Sequence, residues 1–224
     1  MMNEAVGRPG VLLSFEGIDG SGKSTQARLL ADRLEAAGYE TLLVREPGGT
    51  ALSEHVRALL LENTDPSLEI DPVAEVLLFS AARAQLVAER IRPALAEGQV
   101  VIADRFFDST TVYQAAGREL SVEWVRALNM QATRGLAPAR TYFIDLPLKE
   151  AQARRAAHAA DRMETSGTAF FERVRQAYLA LTQEEERICQ IDGTQPLEAI
   201  HETIWADVQS VLPTASRASS ASSP

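Results

Sequence analysis

The sequence predicts an α/β fold, a five-stranded parallel sheet with helices on both faces. Three observations carry this. Five short apolar runs, near residues 11–16, 41–44, 99–104, 140–145 and 187–191, are separated by stretches with helical spacing. The runs are mostly continuous rather than alternating, which suits strands buried on both sides. The first run leads through a glycine-rich turn directly into an amphipathic helix, the local order of a parallel crossover unit.

Each element has its own signal. Residues 1–9 hold Gly7, Arg8 and Pro9 without periodicity and are expected to be a flexible start. Val11 to Glu16 is strand one, and helix one runs from the glycine turn to about Ala37, stopped by Gly38. Thr41 to Val44 is strand two, followed by the turn-rich Arg45-Glu46-Pro47-Gly48-Gly49-Thr50. Helices are expected over 51–62 and 72–96, the second with a core stripe of Val73, Val76, Leu77, Ser80, Ala84, Val87 and Ile91. Gln99 to Asp104 is strand three, with helices at about 107–116 and 121–134 after it. Arg140 to Asp145 is strand four. An Arg- and Ala-rich helical stretch (148–160), a helix (168–183), strand five (187–191) and a closing helix (196–211) complete the order. No internal repeat interrupts it. One domain over 10–212 is expected, with a disordered Ser/Ala-rich tail at 213–224.

Composition narrows the function. The 224 residues are 46% apolar and 24% charged, as in ordinary soluble domains, with a net charge of −9. That acidity argues against a non-specific nucleic-acid or anionic-membrane surface. Any nucleotide must be held by locally placed cations and backbone dipoles. Cys189 is the single cysteine, so no intrachain disulfide can form, and its setting reads as a buried strand thiol. His55, His158 and His201 lack metal-ligand spacing. No apolar run approaches ~18 residues and no secretory pattern opens the chain, so a cytoplasmic location is expected.

The chemistry starts at Gly17-Ile18-Asp19-Gly20-Ser21-Gly22-Lys23-Ser24-Thr25, which fits G-x-x-x-x-G-K-[ST] between a strand and a helix. Glycines let successive backbone N–H groups and the helix N-terminus wrap an anion. Lys23 then reaches the β and γ phosphates of a nucleoside triphosphate, and the Ser24 hydroxyl can ligate Mg²⁺. The alternative is a chance glycine turn, and the bare pattern arises by accident in roughly 1% of chains this long. Of the 22 basic residues only Lys23 and Lys149 are lysine, so a lysine inside this loop stands out from the chain's habit of using arginine. In such a sheet, ligands sit beyond the carboxyl ends of the strands. Arg45 and Asp104-Arg105 are delivered to that edge by strands two and three. Asp104, closing a run of Val, Val, Ile and Ala, stands where a carboxylate meets Mg²⁺ or its waters; the bland alternative is a helix cap.

These residues resemble the thymidylate kinases. The resemblance rests on Phe15 to Thr25, the Arg45 to Thr50 turn, Asp104-Arg105 with Ser109-Thr110 and Tyr113-Gln114, Asp161-Arg162-Met163-Glu164, and Ile191 to Pro196. It runs in order from about residue 10 to 211. It implies a P-loop kinase of the nucleotide-kinase type with a small lid at about 148–165. It also implies transfer of the γ-phosphoryl group of ATP to dTMP with Mg²⁺, and a homodimer whose contacts come from helices flanking strand three. Arg45 and Arg105 resemble the family's clamp on the acceptor phosphate, and Asp19 the carboxylate near the acceptor's 3′ position. Phe79 and Arg83, four apart on one helix face, resemble the pair that stacks on the base and donates to a ring carbonyl. Without the resemblance, a core Phe and a surface Arg would be the preferred reading. Thr110, Tyr113 and Gln114 resemble the rest of the pocket, Tyr113 as the bulk that disfavours ribonucleotides. Gly20 stands where one branch of the family has a basic residue. This chain therefore resembles the branch whose lid supplies the transition-state arginine, with Arg154, Arg155 and Arg162 as candidates. The stretch 154–160 is thinner in arginine than is usual there, and solvated helix charge is the alternative for Arg154 and Arg155.

Two other readings remain open on the sequence. A P-loop kinase for a different nucleotide or nucleoside would differ at Phe79, Arg83 and Thr110. A nucleotide-switch GTPase or regulatory ATP-binding module is disfavoured, because no N-K-x-D motif occurs and a second set of phosphate-facing cations would lack a purpose.

Overall fold

The computed structural model describes residues 10–62, 68–155 and 167–212, with Arg155 described in its backbone alone. Five strands, β1 (Val11–Glu16), β2 (Thr41–Arg45), β3 (Val100–Asp104), β4 (Arg140–Asp145) and β5 (Ile188–Asp192), form one sheet in the order β2-β3-β1-β4-β5. Every neighbouring pair is parallel, as the continuous apolar runs predict.

Alternate side chains of the strands feed cores on the two faces of the sheet. Leu13, Phe15, Ile102, Tyr142 and Ile144 point to one face, where α1 (Lys23–Ala36) and α9 (Leu197–Val208) bring Leu30, Leu34, Ile200 and Ile204. Burying each such side chain contributes about 1.5–3 kcal/mol. On the opposite face Leu12, Val44, Val101 and Ala103 meet Leu86 and Val87. Phe143 and Ile188 meet Phe170, Val174 and Tyr178 of α8 (Thr168–Glu184).

The remaining helices are α2 (Ala51–Arg57), α3 (Pro72–Leu86), α4 (Arg92–Ala96), α5 (Phe107–Thr110), α6 (Val122–Thr133) and α7 (Leu148–Arg155). Their starts carry the expected chemistry. Thr50 accepts from Ser53 N–H, Asp71 from Val73 N–H ahead of Pro72, and Ser121 from Trp124 N–H.

The stretches expected as plain helices over 51–62, 72–96 and 107–116 each contain a wide π-type segment, at Ala58–Glu62, Val87–Ile91 and Thr111–Gly117. Pro93 accounts for the second: it lacks an N–H, and its ring crowds the carbonyl of residue 89 one turn earlier. The expected core stripe of α3 is also corrected. Val73 and Leu77 are 42% and 47% exposed, whereas Arg83 is 2% exposed. The buried face instead carries Glu75, Val76, Ser80, Ala82, Arg83 and Leu86, because an ion pair draws the arginine inward.

The strand register positions the site. Phe15 lies opposite Asp104 and Asp104 opposite Arg45, so three strands end at one level. No helix among the described residues is long and apolar enough to cross a membrane.

Candidate active site

Strand β1 ends at Glu16, and the chain turns through residues 17–22 before α1 begins at Lys23. Gly17 has φ 141°, and a Cβ there would lie 2.7 Å from the Ile144 carbonyl oxygen, so only glycine fits. This tight passage turns the loop back over the helix N-terminus. Lys23 Nζ donates to Asp19 Oδ1 at 2.8 Å, and Arg105 Nη2 donates to the same oxygen at 2.7 Å. Burial alone would raise the Asp19 carboxyl, but the charges of Arg105 and Lys23 outweigh it and hold the group well below the usual carboxylate range.

Arg105 sits at the turn out of β3 with φ 70°, a left-handed conformation unusual for a long side chain. Its N–H donates to the Phe15 carbonyl (2.9 Å). Its guanidinium donates to Ser109 Oγ (3.0 Å) and lies 5.2 Å from the Tyr113 ring centre. Burial opposes the Arg105 charge, while Asp19 and the neighbouring groups keep its pKa well above the ordinary arginine value.

Two clefts meet at Asp19 and Arg105. The larger, about 560 Å³, is lined by Lys23, Ser24, Arg45, Asp104 and the exposed Arg28 and Arg90. Asp104 Oδ1 is buried there without a hydrogen-bond partner. Among the described residues, no cluster of three or more His, Cys, Asp or Glu side chains forms a metal site. A cation here would have few protein ligands, all hard oxygens, which suits Mg²⁺ with its retained waters and phosphate partners. Arg45 donates to Glu54 (3.0 Å), which also accepts from Gly49 N–H (2.7 Å). The Gly49 bond, with the Arg45 and Arg57 charges, keeps Glu54 below its ordinary value.

The smaller cleft is lined by Phe79, Arg83, Thr110, Tyr113 and Gln114, five residues that the sequence singles out, together with Arg105. Arg45 does not line it; of the two expected clamp arginines, Arg105 alone faces both clefts. Arg83 is fixed on every nitrogen: Nε to Glu46 Oε2 (2.8 Å), Nη1 to Asn129 Oδ1 (2.9 Å) and Nη2 to Thr110 Oγ1 (2.8 Å). Burial pushes Glu46 upward, against the pull of Arg83. Gln114 donates to Glu75 (3.0 Å), and Tyr113 packs edge-on to Phe170 and Phe171 of α8.

Of the lid candidates, Arg154, in the last turn of α7, donates to the Gly193 carbonyl (3.0 Å), tying α7 to the turn after β5. The Arg155 side chain and Arg162 lie outside the described residues.

Sequence reasoning missed three residues of this region. Glu46 and Arg57 line both clefts, and Arg57 donates to the Pro47 carbonyl (3.0 Å). Glu16 is fully buried and accepts from Phe106 N–H, Ser109 and Tyr178 at 2.7, 2.5 and 2.8 Å. Burial, and then Asp108, push Glu16 up to about 7 against the Arg105 charge and its own donors. The signal for Glu16 was available: a carboxylate closing an apolar strand, as Asp104 does.

The family model described as thymidylate kinase matches residues 15–204. A thymidylate kinase of Bifidobacterium longum subsp. infantis is 49% identical over 205 residues, covering 91% of this chain and 88% of that one. One from Caldanaerobacter subterraneus subsp. tengcongensis is 46% identical over 204 residues, covering 91% and 97%. The crystal structure of thymidylate kinase from Ehrlichia chaffeensis superposes with a TM-score of 0.73 at 31% identity, covering 90% of this chain and all of that one.

Proposed function

The chain belongs to the thymidylate kinase family, and on that premise we propose how its two clefts transfer the γ-phosphoryl group of ATP to dTMP, giving dTDP and ADP. The observation that carries the reading is the shared oxygen of Asp19. Lys23 and Arg105 lie 2.8 and 2.7 Å from one atom, so the cations assigned to the two substrates stand side by side. Phosphoryl transfer asks for such positioning and charge stabilisation rather than covalent chemistry by the protein.

ATP is held by the loop from Gly17 to Thr25, whose backbone N–H groups and Lys23 face the phosphates. Ser24 and the unpartnered oxygen of Asp104 would hold Mg²⁺, and the residues present fit that ion. Bound there, Mg²⁺ would neutralise phosphate charge. Arg105 grips the acceptor phosphate from the junction of the clefts, and Arg45 adds positive charge from the larger one. Phe79, Arg83, Thr110 and Gln114 enclose the base, and Tyr113 fills the space beside the sugar. Arg83 enters the pocket already oriented, because its protein partners fix the plane of the guanidinium. Asp19 orients both cations and faces the acceptor sugar.

The domain reading is one kinase unit over 10–212 with a lid at about 148–165, of which α7 is the described part. A lid arginine, Arg154, Arg155 or Arg162, supplies charge to the transition state. The bond from Arg154 to Gly193 favours an anchoring role for that residue and leaves the finger to the other two. A homodimer is supported by Val73 and Leu77 on α3 and Trp124 and Met130 on α6, all exposed apolar side chains; sedimentation equilibrium tests it. The enzyme is read as cytoplasmic, acting on free nucleotides.

The deciding experiment is a coupled ADP-release assay with ATP and Mg²⁺, offering dTMP, dUMP, dCMP, AMP and thymidine in parallel. Turnover with dTMP far above the others is the expected result. A stronger rate with another acceptor overturns the base-pocket assignment, and acceptor-independent hydrolysis alone overturns the kinase mechanism.

A further inference from the structure

We propose that Glu16 is a positioning residue for the acceptor-phosphate clamp, its buried carboxylate fixing both the backbone turn and the side-chain direction of Arg105. The inference rests on the reading of Arg105 as that clamp. Glu16 lines neither cleft and is fully buried, so its action is through neighbours.

The backbone part begins with strain. Arg105 adopts φ 70°, which costs an L-residue about 1 kcal/mol or more and persists only where neighbours impose it. Two hydrogen bonds from consecutive residues do so. Arg105 N–H is held by the Phe15 carbonyl at 2.9 Å, and Phe106 N–H by Glu16 Oε1 at 2.7 Å. Phe106 immediately precedes α5 and, being apolar, offers that helix no side-chain hydrogen bond. The Glu16 carboxylate therefore holds the amide of the residue that leads into α5 and extends the β1–β3 pairing one residue past the end of the ladder.

The side-chain part runs through Ser109. Its hydroxyl has one proton, which goes to Glu16 Oε2 at 2.5 Å, so its lone pairs are left for Arg105 Nη1 at 3.0 Å. Tyr178 on α8 donates to the same Glu16 oxygen at 2.8 Å and stacks on Phe143 with ring centres 4.7 Å apart. Three donors thus converge on one carboxylate. Only the ionised form can accept all three without supplying a proton of its own. A glutamine brings an N–H against one of them, either the Phe106 amide or the two hydroxyls. The charges around Glu16 set how readily it protonates. Asp108 and burial disfavour the anion, and Arg105 favours it. Arg187 is tied to Asp108 at 2.7 Å, while Asp19, Tyr113 and Tyr178 surround the Arg105 side.

The test uses the full chain with Glu16→Gln, Tyr178→Phe and Arg105→Lys, measuring kcat and both KM values from pH 6 to 8.5. Glu16→Gln is expected to raise the KM for dTMP about tenfold, the scale of one weakened charge-assisted bond. The KM for ATP should stay within about twofold. Tyr178→Phe leaves the carboxylate in place and should give a smaller shift, about threefold, in the same direction; it carries the test if the glutamine variant fails to fold. The ratio of wild-type to Glu16→Gln kcat/KM for dTMP should fall as pH drops through about 7, because dividing the two profiles removes the titration of dTMP itself. An unchanged dTMP KM, equal movement of both KM values, or a pH-independent ratio overturns the proposal. If Arg105→Lys also leaves the dTMP KM unchanged, the clamp reading has failed. If Arg105→Lys raises it and Glu16→Gln does not, the positioning role alone has failed.

Discussion

Replacing Arg83 by methionine removes the centre of the buried network beneath the smaller cleft. Arg83 and Glu46 are 2% and 5% exposed at their side chains, and the guanidinium reaches Glu46 Oε2 twice, at 2.8 Å from Nε and 2.7 Å from Nη2. It also serves Asn129 at 2.9 Å and Thr110 at 2.8 Å. Glu46 Oε1 already lacks a partner, so without Arg83 the whole carboxylate is buried uncompensated. Breaking one side of such a pair costs about 3–5 kcal/mol. For a chain of this length that is a fall in Tm of roughly 6–20 °C. Adding Glu46→Gln removes the stranded charge, so the double variant should recover at least about 1.5 kcal/mol relative to additivity. Urea unfolding of the four members of this double-mutant cycle at pH 7 measures both quantities. A loss below about 1 kcal/mol for Arg83→Met, or an additive cycle, refutes the view that the pair is held together by mutual dependence.

Three other expectations follow from the same site. Asp19→Asn removes the negative charge that Lys23 and Arg105 share, weakening both bonds at once, and should lower kcat/KM for dTMP about a hundredfold; steady-state kinetics within about threefold of wild type would contradict the shared-oxygen arrangement. Asp104→Asn should raise the Mg²⁺ concentration for half-maximal rate about tenfold, and an unchanged Mg²⁺ titration at fixed ATP would remove Asp104 from the metal site. Glu16 makes stability pH-dependent. Its folded pKa is raised from 4.5 to about 7, so the native state binds the proton more tightly, and this contribution, present below about 4.5, is lost as pH rises through about 7. Wild type should therefore lose on the order of 3 kcal/mol between pH 5 and pH 8 relative to Glu16→Gln in urea unfolding, and a pH-independent difference between the two would negate it.

The edge where Lys23, Arg45, Asp104 and Arg105 meet was legible because its signals are local. Gly17 to Thr25 is contiguous, and Arg45, Asp104 and Arg105 each announce themselves by ending an apolar run. The residues of the smaller cleft were legible through resemblance to a family, whereas their support was not. Apolar periodicity placed Val73 and Leu77 inside and Arg83 at the surface, since such counting cannot foresee a buried ion pair. The partners that draw Arg83 inward, Glu46 and Asn129, lie 37 and 46 residues away. Glu16 stood in plain view at the end of the first strand, but its three donors come from two other segments, α8 among them. The wide turn at Val87–Ile91 could have been anticipated from Pro93; those at Ala58–Glu62 and Thr111–Gly117 have no local residue that marks them.

The transverse row of Phe15, Asp104 and Arg45 has an evolutionary consequence. The spacing between the glycine loop, Asp104, Arg45 and Arg105 is set by main-chain hydrogen bonds of three adjacent strands, continued by Glu46 N–H to the Asp104 carbonyl and Arg105 N–H to that of Phe15. The ladder bonds within the strands do not depend on which side chains the strands carry. The smaller cleft, by contrast, is lined by replaceable side chains of α3, α5 and the Thr111–Gly117 segment. On the proposed reading of the two clefts, acceptor preference can therefore drift, by natural change or by design, while the spacing between the clefts stays as the sheet made it.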